Sequence, residues 1–316
     1  MQDTETITDE IVHKQVLKLM GNRFEISVVA SDTNWAQQRI ELAIAEIRRI
    51  EKLLTTFSDD SQTNQINQNA GIAPVKVDQE VFDLIARSLK ISELTQGAFD
   101  ITYGSIDKSL WNFDLNMKAL PDAATAQAAV RLINYKNVIL DSQNNTVFLK
   151  EAGMRIGFGG IGKGYAADKA KAVLQADGVK SGIVNAAGDL VTWGTQPGGK
   201  PWTIAIADPD QETTPFSTLN ISNMAVATSG NYAKYVIIGG KKYSHTIDPK
   251  TGLPVSGIKS VSIISPSAEF ADAMATPVTV MGAYVGLDLI NQLQNVACVI
   301  ITDESKVYTS KNINIK

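Results

Sequence analysis

Apolar runs that come in adjacent pairs set the strongest limit on what this chain can fold into. "NVILDSQNNTVFLK" (137–150) reads as strand, turn, strand, with Ser142–Asn145 supplying turn chemistry between two apolar runs. "YAKYVIIGGKKYSHTIDP" (232–249) reads as a hairpin with Gly239 and Gly240 at its tip. "SGIVNAAGDLVTWG" and "PWTIAIADPD" are strands joined by a Gly/Pro-rich turn, and "VACVIIT" with "SKVYTS" closes the chain as another hairpin. "RFEISVVAS" (23–31) and "IKSVSIIS" (258–265) are further strands. Helices fall between these groups. Ile40, Ile44, Ile47 and Leu54 give 34–54 an amphipathic period, and Val81, Leu84, Ile85 and Leu89 do the same for 78–94. Asp122 is placed to cap another helix, 162–177 is helical and stops at Gly178, and "SAEFADAMAT" and "GAYVGLDLINQL" give two more. Hairpin-like pairs with helices between the groups predict an α+β fold, not a doubly wound α/β sheet.

Bulk properties exclude several classes. A net charge of −4 gives no broad basic footprint for nucleic acid. The single cysteine, Cys298, excludes an intramolecular disulfide and reads as a buried strand residue. No stretch approaches 18 consecutive apolar residues, so no transmembrane helix is expected. Residues 1–15 read as a polar leader, without the basic and apolar regions of a signal peptide, and 16–316 as one domain or two closely packed subdomains.

"GFGGIGKGYAADKA" (157–170) poses the first question about function. Gly157, Gly159 and Gly162 satisfy the dinucleotide fingerprint, and Gly157, Gly162 and Lys163 satisfy all but the last letter of the P-loop. The context fits neither. The glycines come halfway along the chain, the next strand carries no acid at its end, and Gly164 has no hydroxyl for magnesium. The physics behind both motifs survives: glycines let backbone approach a ligand, and a helix start presents N–H groups to an anion. Lys163 in a first helical turn opposes the helix dipole, a conflict that a bound phosphate would resolve.

Three other stretches are dense in chemistry. His245, one of two histidines, stands at a strand end before Asp248-Pro249, where imidazole can serve chemistry, polar binding or structure. Asp272 and Thr276 stand at i and i+4 on one helix face, two oxygen donors suited to a hard cation such as Mg²⁺. Such pairs are common, and Pro277, which predicts an irregular turn beside them, sharpens this one. "QGAFDITYGSIDKSLWNF" gathers Phe99, Asp100, Tyr103 and Trp111, either as core aromatics or as a ring-stacking, ribose-binding wall.

Taken together and in order, these stretches resemble the ApbE family of FAD:protein FMN transferases. "MGNRFEI", "TTFSDDSQTNQIN", "GAFDIT", "GFGGIGKGYAAD", "NAAGDLVTWG", "ATSGNY…HTIDPKTGLP" and "ADAMAT…VMG" are each similar to a family block, across nearly the whole chain. The resemblance implies a T-fold-like α+β architecture and Mg²⁺-dependent transfer of FMN from FAD to a threonine of an acceptor flavoprotein, with release of AMP. It implies metal ligands at Asp272, Thr276 and the Gly160 carbonyl. FAD contacts would fall on Met20, Phe57, Ala98, Phe99, Asp100, Gly157, Lys163 and Thr246, and His245 would deprotonate or orient the acceptor threonine. It also implies work on the periplasmic side of a membrane, with membrane association only through an anchor absent from this chain; a cytoplasmic enzyme is the alternative. Three positions depart from the family pattern: Gly157 stands for an aspartate, Phe57 for a tyrosine and Gln62 for a glutamate. An FAD pyrophosphatase and a non-enzymatic flavin-binding protein remain as rival readings.

Overall fold

The computed structural model describes residues 10–110, 118–208, 211–230 and 235–313. Its centre is an eight-stranded sheet. The first two strands, β1 (Ile11–Leu19) and β2 (Asn22–Ala30), form a hairpin across Met20 and Gly21, both at positive φ. The helices α1 (Thr33–Leu54), α2 (Gln62–Gln68) and α3 (Gln79–Leu94) follow, with β3 (Val75–Lys76) before α3. Next come α4 (Ala123–Ala129), the hairpin of β4 (Val138–Asp141) and β5 (Thr146–Leu149), and α5 (Gly162–Ala176). The strands β6 (Gly182–Ala186), β7 (Asp189–Trp193), β8 (Trp202–Asp208), β9 (Gln211–Ile221) and β10 (Ala225–Gly230) lead to the hairpin of β11 (Tyr235–Ile238) and β12 (Lys241–Ser244). The chain ends with β13 (Ile258–Ser265), α6 (Ala268–Asn291), β14 (Ala297–Thr302) and β15 (Val307–Thr309).

The large sheet runs β1-β2-β6-β7-β10-β13-β14-β15, and every neighbouring pair in it is antiparallel. Its strands alternate between two cores. Ile26, Val28, Val184, Ala227, Ile263, Cys298 and Ile300 face the helices, burying against Ile40, Ile44 and Ile47 of α1 and Ala166 and Ala170 of α5. Val29, Leu190, Val226, Ile264 and Val299 face the other way, against Trp202, Ile204 and Ile206 of the β8–β9 hairpin. A sheet covered on both faces needs apolar or small residues on both, which is why 296–302 reads as a nearly continuous apolar run and 258–265 places small serines between its apolar residues, with Ser260, Ser262 and Ser265 buried. Cys298 sits in this core, and burial pushes its thiol pKa far up.

Two expectations need revision. First, β1 begins at Ile11, inside the stretch read as a polar leader. It is an edge strand whose residues 10–18 are exposed or half-buried, so its sequence alternates too weakly to show. Second, Pro277 does not break α6. The helix runs through it, and the non-helical turn lies at Gly282 (φ 79°, ψ 174°). Proline removes one backbone donor at helical φ, whereas glycine readily takes the combination of positive φ and extended ψ found at Gly282. The two expected helices are therefore the two limbs of α6. By length and composition alone, α6 is also long and apolar enough to cross a membrane. In this structure its first limb packs into the core, with Ala271, Ala273, Met274 and Val278 buried beneath the sheet.

Candidate functional site

The site grows from the way α5 and α6 start. Most helices here carry their own caps: Asp32 accepts from Trp35 N–H at 2.7 Å, Ser61 from Asn64 N–H at 3.0 Å and Asp122 from Ala124 N–H at 3.0 Å. The N-cap of α5 is Ile161, which has no side-chain oxygen to offer. The cap comes instead from α6: Asp272 Oδ2 accepts from Gly164 N–H at 3.0 Å. The favour is returned. Asp168 of α5 accepts from Ala268 N–H, Glu269 N–H and the Ser267 hydroxyl at 3.0, 3.0 and 2.8 Å. Each helix thus carries a carboxylate at the positive end of the other's dipole. Gly164 makes the crossing this close. A Cβ there would lie 2.1 Å from Ala268 O and 2.8 Å from Asp272 Cβ, so the "missing" P-loop hydroxyl stands where no side chain fits.

The same exchange settles the charge of Lys163. Its ammonium bonds directly to Asp189 Oδ2 and lies 3.6 Å from Asp272 Oδ1. The expected conflict with the helix dipole is answered by two carboxylates of the chain itself. Asp272 is buried, and burial raises its pKa above the ordinary carboxylate value. Lys163 and the backbone N–H groups of Lys163 and Gly164 oppose that rise without cancelling it.

Above this crossing lies a cleft of about 970 Å³. The Met20–Gly21 turn, Phe57, the wall Ala98-Phe99-Asp100, the glycine segment 157–160 and Lys163 line it, together with His245 and Thr246 after β12 and Thr276 of α6. Eleven of the twelve residues expected at the site therefore share one cavity, and the twelfth, Asp272, lies beneath it beside Lys163. Phe57 is 99% exposed, an aromatic ring at the lip with none of the described residues covering it. His245 is exposed. Asp100 is committed to the wall: its oxygens accept from Thr102 N–H (2.8 Å), the Thr102 hydroxyl (2.6 Å) and Tyr135 N–H (2.9 Å). Burial raises its pKa above the ordinary carboxylate value, against the hydrogen bonds from Thr102 and Tyr135. Trp111 lies outside the described residues.

Residues that the sequence did not single out hold this wall. Asn67 of α2 pairs with Ile156 as a strand would, donating to its carbonyl at 3.0 Å and accepting from its N–H at 2.7 Å. Asn64 donates to the carbonyls of Thr56 and Ser58 and so fixes the loop that carries Phe57. Gln62 lies outside the cleft: it donates to Asp78 Oδ2 at 2.6 Å and accepts from Asp78 N–H at 2.8 Å. A glutamate at 62 would set one carboxylate against another, which gives the amide at this departure a local reason.

A divalent cation has a fitting donor set here. Because Gly164 N–H goes to Asp272, the Gly160 carbonyl lacks its helical donor and accepts no hydrogen bond among the described residues. The Thr276 hydroxyl is likewise without a hydrogen bond there, and Asp272 Oδ1 has only the Lys163 ammonium, at 3.6 Å. A carbonyl, a hydroxyl and a carboxylate, with room for phosphates and water, are what a hard ion takes. No cluster of three His, Cys, Asp or Glu suited to a softer metal occurs among the described residues.

Fold and cleft define a class: an α+β protein with a cleft lined by glycine backbone, aromatic side chains and a lysine paired with a buried carboxylate. The sequence model of the ApbE family matches residues 20–300, and the chain belongs to that family. An FAD:protein FMN transferase of Klebsiella pneumoniae is 31% identical over 295 residues, covering 92% of this chain and 84% of the relative. One of Treponema pallidum is 31% identical, covering 87% and 80%. The ApbE protein of Thermotoga maritima superposes with a TM-score of 0.84 at 30% identity, covering 95% of this chain and 97% of the other. The flavinyl transferase ApbE of Pseudomonas stutzeri, in its apo form, superposes with 0.83 at 27%, covering 96% of each.

Proposed function

We propose that this protein transfers FMN from FAD to a threonine hydroxyl of an acceptor protein. One observation carries the reading: the unpaired Gly160 carbonyl, Asp272 and Thr276 gather at a glycine-lined cleft whose other wall is aromatic. Gly160, Asp272 and Thr276 would hold Mg²⁺, which supplies charge neutralisation for a diphosphate and a leaving phosphate, typically several kcal/mol. The chain's own residues do the rest. Gly157 and Gly159 let the ligand approach the backbone closely, and Lys163 presents a cation whose place is fixed by Asp189. Phe57 offers a ring for stacking, and Phe99 closes the wall behind it.

In the reaction, the acceptor oxygen forms a bond to the FMN-side phosphorus. The bond from that phosphorus to the bridging oxygen breaks, and AMP departs with that oxygen. The threonine proton goes to His245, whose exposed position suits a partner that must dock from outside. Incubation with FAD and Mg²⁺, with and without an acceptor protein, tests the reading. Covalent FMN on the acceptor with one AMP released per FMN supports it. FMN and AMP formed equally without acceptor would make the protein a pyrophosphatase, and retained FAD without turnover would make it a binding protein.

A further inference from the structure

Two buried carboxylates share one ammonium beneath the cleft. The side chains of Asp189 and Asp272 are only 5% and 8% exposed, and that of Lys163 is 26% exposed. The sharing is unequal. Lys163 makes a direct bond to Asp189 Oδ2 but stands 3.6 Å from Asp272 Oδ1, outside hydrogen-bond reach. Asp272 Oδ2 is taken by Gly164 N–H, so Oδ1 is its open oxygen. Asp189 is placed beside Lys163 by the β6–β7 hairpin. It is the first residue of β7, just after the hairpin turn of Ala187 (φ 56°) and Gly188 (φ 103°), and Gly188 N–H donates to Asn185 Oδ1 at 2.8 Å. Among the described residues, Lys163 is the only ion-pair partner of Asp189.

We propose that Asp189 is a positioning residue: by taking the Lys163 ammonium to itself, it keeps Asp272 Oδ1 open to a divalent cation. Without Asp189, the flexible lysine stem has one buried carboxylate left within reach, and the ammonium closes on Asp272 and competes with the metal there. Lys163 is then a placeholder cation that limits the cost of burying Asp272 while no metal is bound, and Asp189 sets how near it comes. This rests on the metal site proposed above.

Titration of Mn²⁺ into the metal-free full chain, followed by loss of the free-ion EPR signal, reads binding without turnover or FAD. Asp189→Asn should weaken Mn²⁺ binding by about 10- to 100-fold, the usual cost of losing an outer-shell partner. Adding Lys163→Met to that variant should bring binding back to near the wild-type value, because the competing ammonium is gone. Glu51→Gln removes the same charge from the cleft wall without touching Lys163, and should shift binding far less. The inference is overturned if Asp189→Asn binds Mn²⁺ as wild type does, if the double variant stays as weak as the single one, or if Glu51→Gln costs as much. Should Asp189→Asn fail to fold, Lys163→Met alone decides: equal or tighter Mn²⁺ binding supports the inference, and weaker binding overturns it. Wild-type protein that binds no Mn²⁺ would sink the metal reading and this inference together, whereas a binding wild type beside indifferent variants sinks this inference alone.

Discussion

Gly164→Ala is the sharpest perturbation of the helix crossing. Alanine is the better helix former by roughly 0.8–1 kcal/mol, so propensity alone predicts a more stable protein. Packing predicts the opposite. The new Cβ would lie 2.1 Å from Ala268 O, and ordinary contact begins at 3.4 Å, so 3.4 minus 2.1 leaves about 1.3 Å to be made up. The obstacle is backbone, so α5 and α6 must part or tilt. That stretches the 3.0 Å bond from Gly164 N–H to Asp272 and the bonds from Asp168 to the start of α6. Overpacking costs about 1–3 kcal/mol and a lost cap about 1 kcal/mol, for a net loss of roughly 1–3 kcal/mol after the propensity gain. Displacing Asp272 by about an ångström should slow FMN transfer by about 10²-fold. Thermal unfolding and the rate of FMN transfer to an acceptor, measured on the same preparation, read both effects. Gly159→Ala is the control, with nothing within 4 Å of its Cβ and no expected change in melting temperature. A Gly164→Ala protein with wild-type melting temperature and wild-type rate would refute the reasoning.

Other outcomes follow from the same geometry. Asp168→Asn replaces one of two accepting oxygens by a donor facing the Ser267 hydroxyl and Glu269 N–H, and should lower stability by about 1–2 kcal/mol in a denaturant titration. His245→Ala should slow transfer by about 10²–10⁴-fold while FAD binding, followed by flavin fluorescence, stays near wild type; full-rate transfer would remove its assigned role. The raised pKa of Asp272 gives a pH dependence. In metal-free protein, its folded pKa lies above the ordinary 3.8, so the native state binds more protons and Asp272 costs stability as pH rises from 3.8 through its raised value. Mg²⁺ favours the charged form, so its stabilisation of the protein should grow over that window in thermal melts and shrink in Asp272→Asn.

Much of this was legible in the sequence, for stated reasons. Hairpins with glycine at the tip and helices with an isoleucine stripe declare themselves locally, as at Gly239-Gly240 and along α1. The helix α2 did not. It has seven residues, and its buried ones are Ile66 with the polar Thr63, Asn64 and Asn67, whose work is hydrogen bonding to the loops that carry the site. The hairpin partner of β8 was equally hidden: residues 211–220 hold mostly Thr, Ser, Gln and Glu. At the site, single motifs were ambiguous, since Gly157 and Gly162 matched two unrelated patterns that their context ruled against, whereas the order of several blocks was not. The partners of Lys163 were illegible because Asp189 and Asp272 lie 26 and 109 residues away along the chain, and pairing at such separations is set only by the fold. Asp168 carried a usable signal: an acid one turn beyond Gly164, in a helix with no cap of its own, invites a search for a second helix start.

The central claim is that the crossing of α5 and α6 opens one oxygen each from Gly160, Asp272 and Thr276 to a metal that meets the FAD diphosphate. A crystal grown with FAD and Mn²⁺, with data collected at the manganese absorption edge, tests it most directly. The account predicts one anomalous peak about 2.0–2.3 Å from the Gly160 carbonyl, an Asp272 oxygen and the Thr276 hydroxyl, with diphosphate oxygens completing the shell. FAD bound in the cleft with the manganese peak elsewhere, or with none, would contradict it.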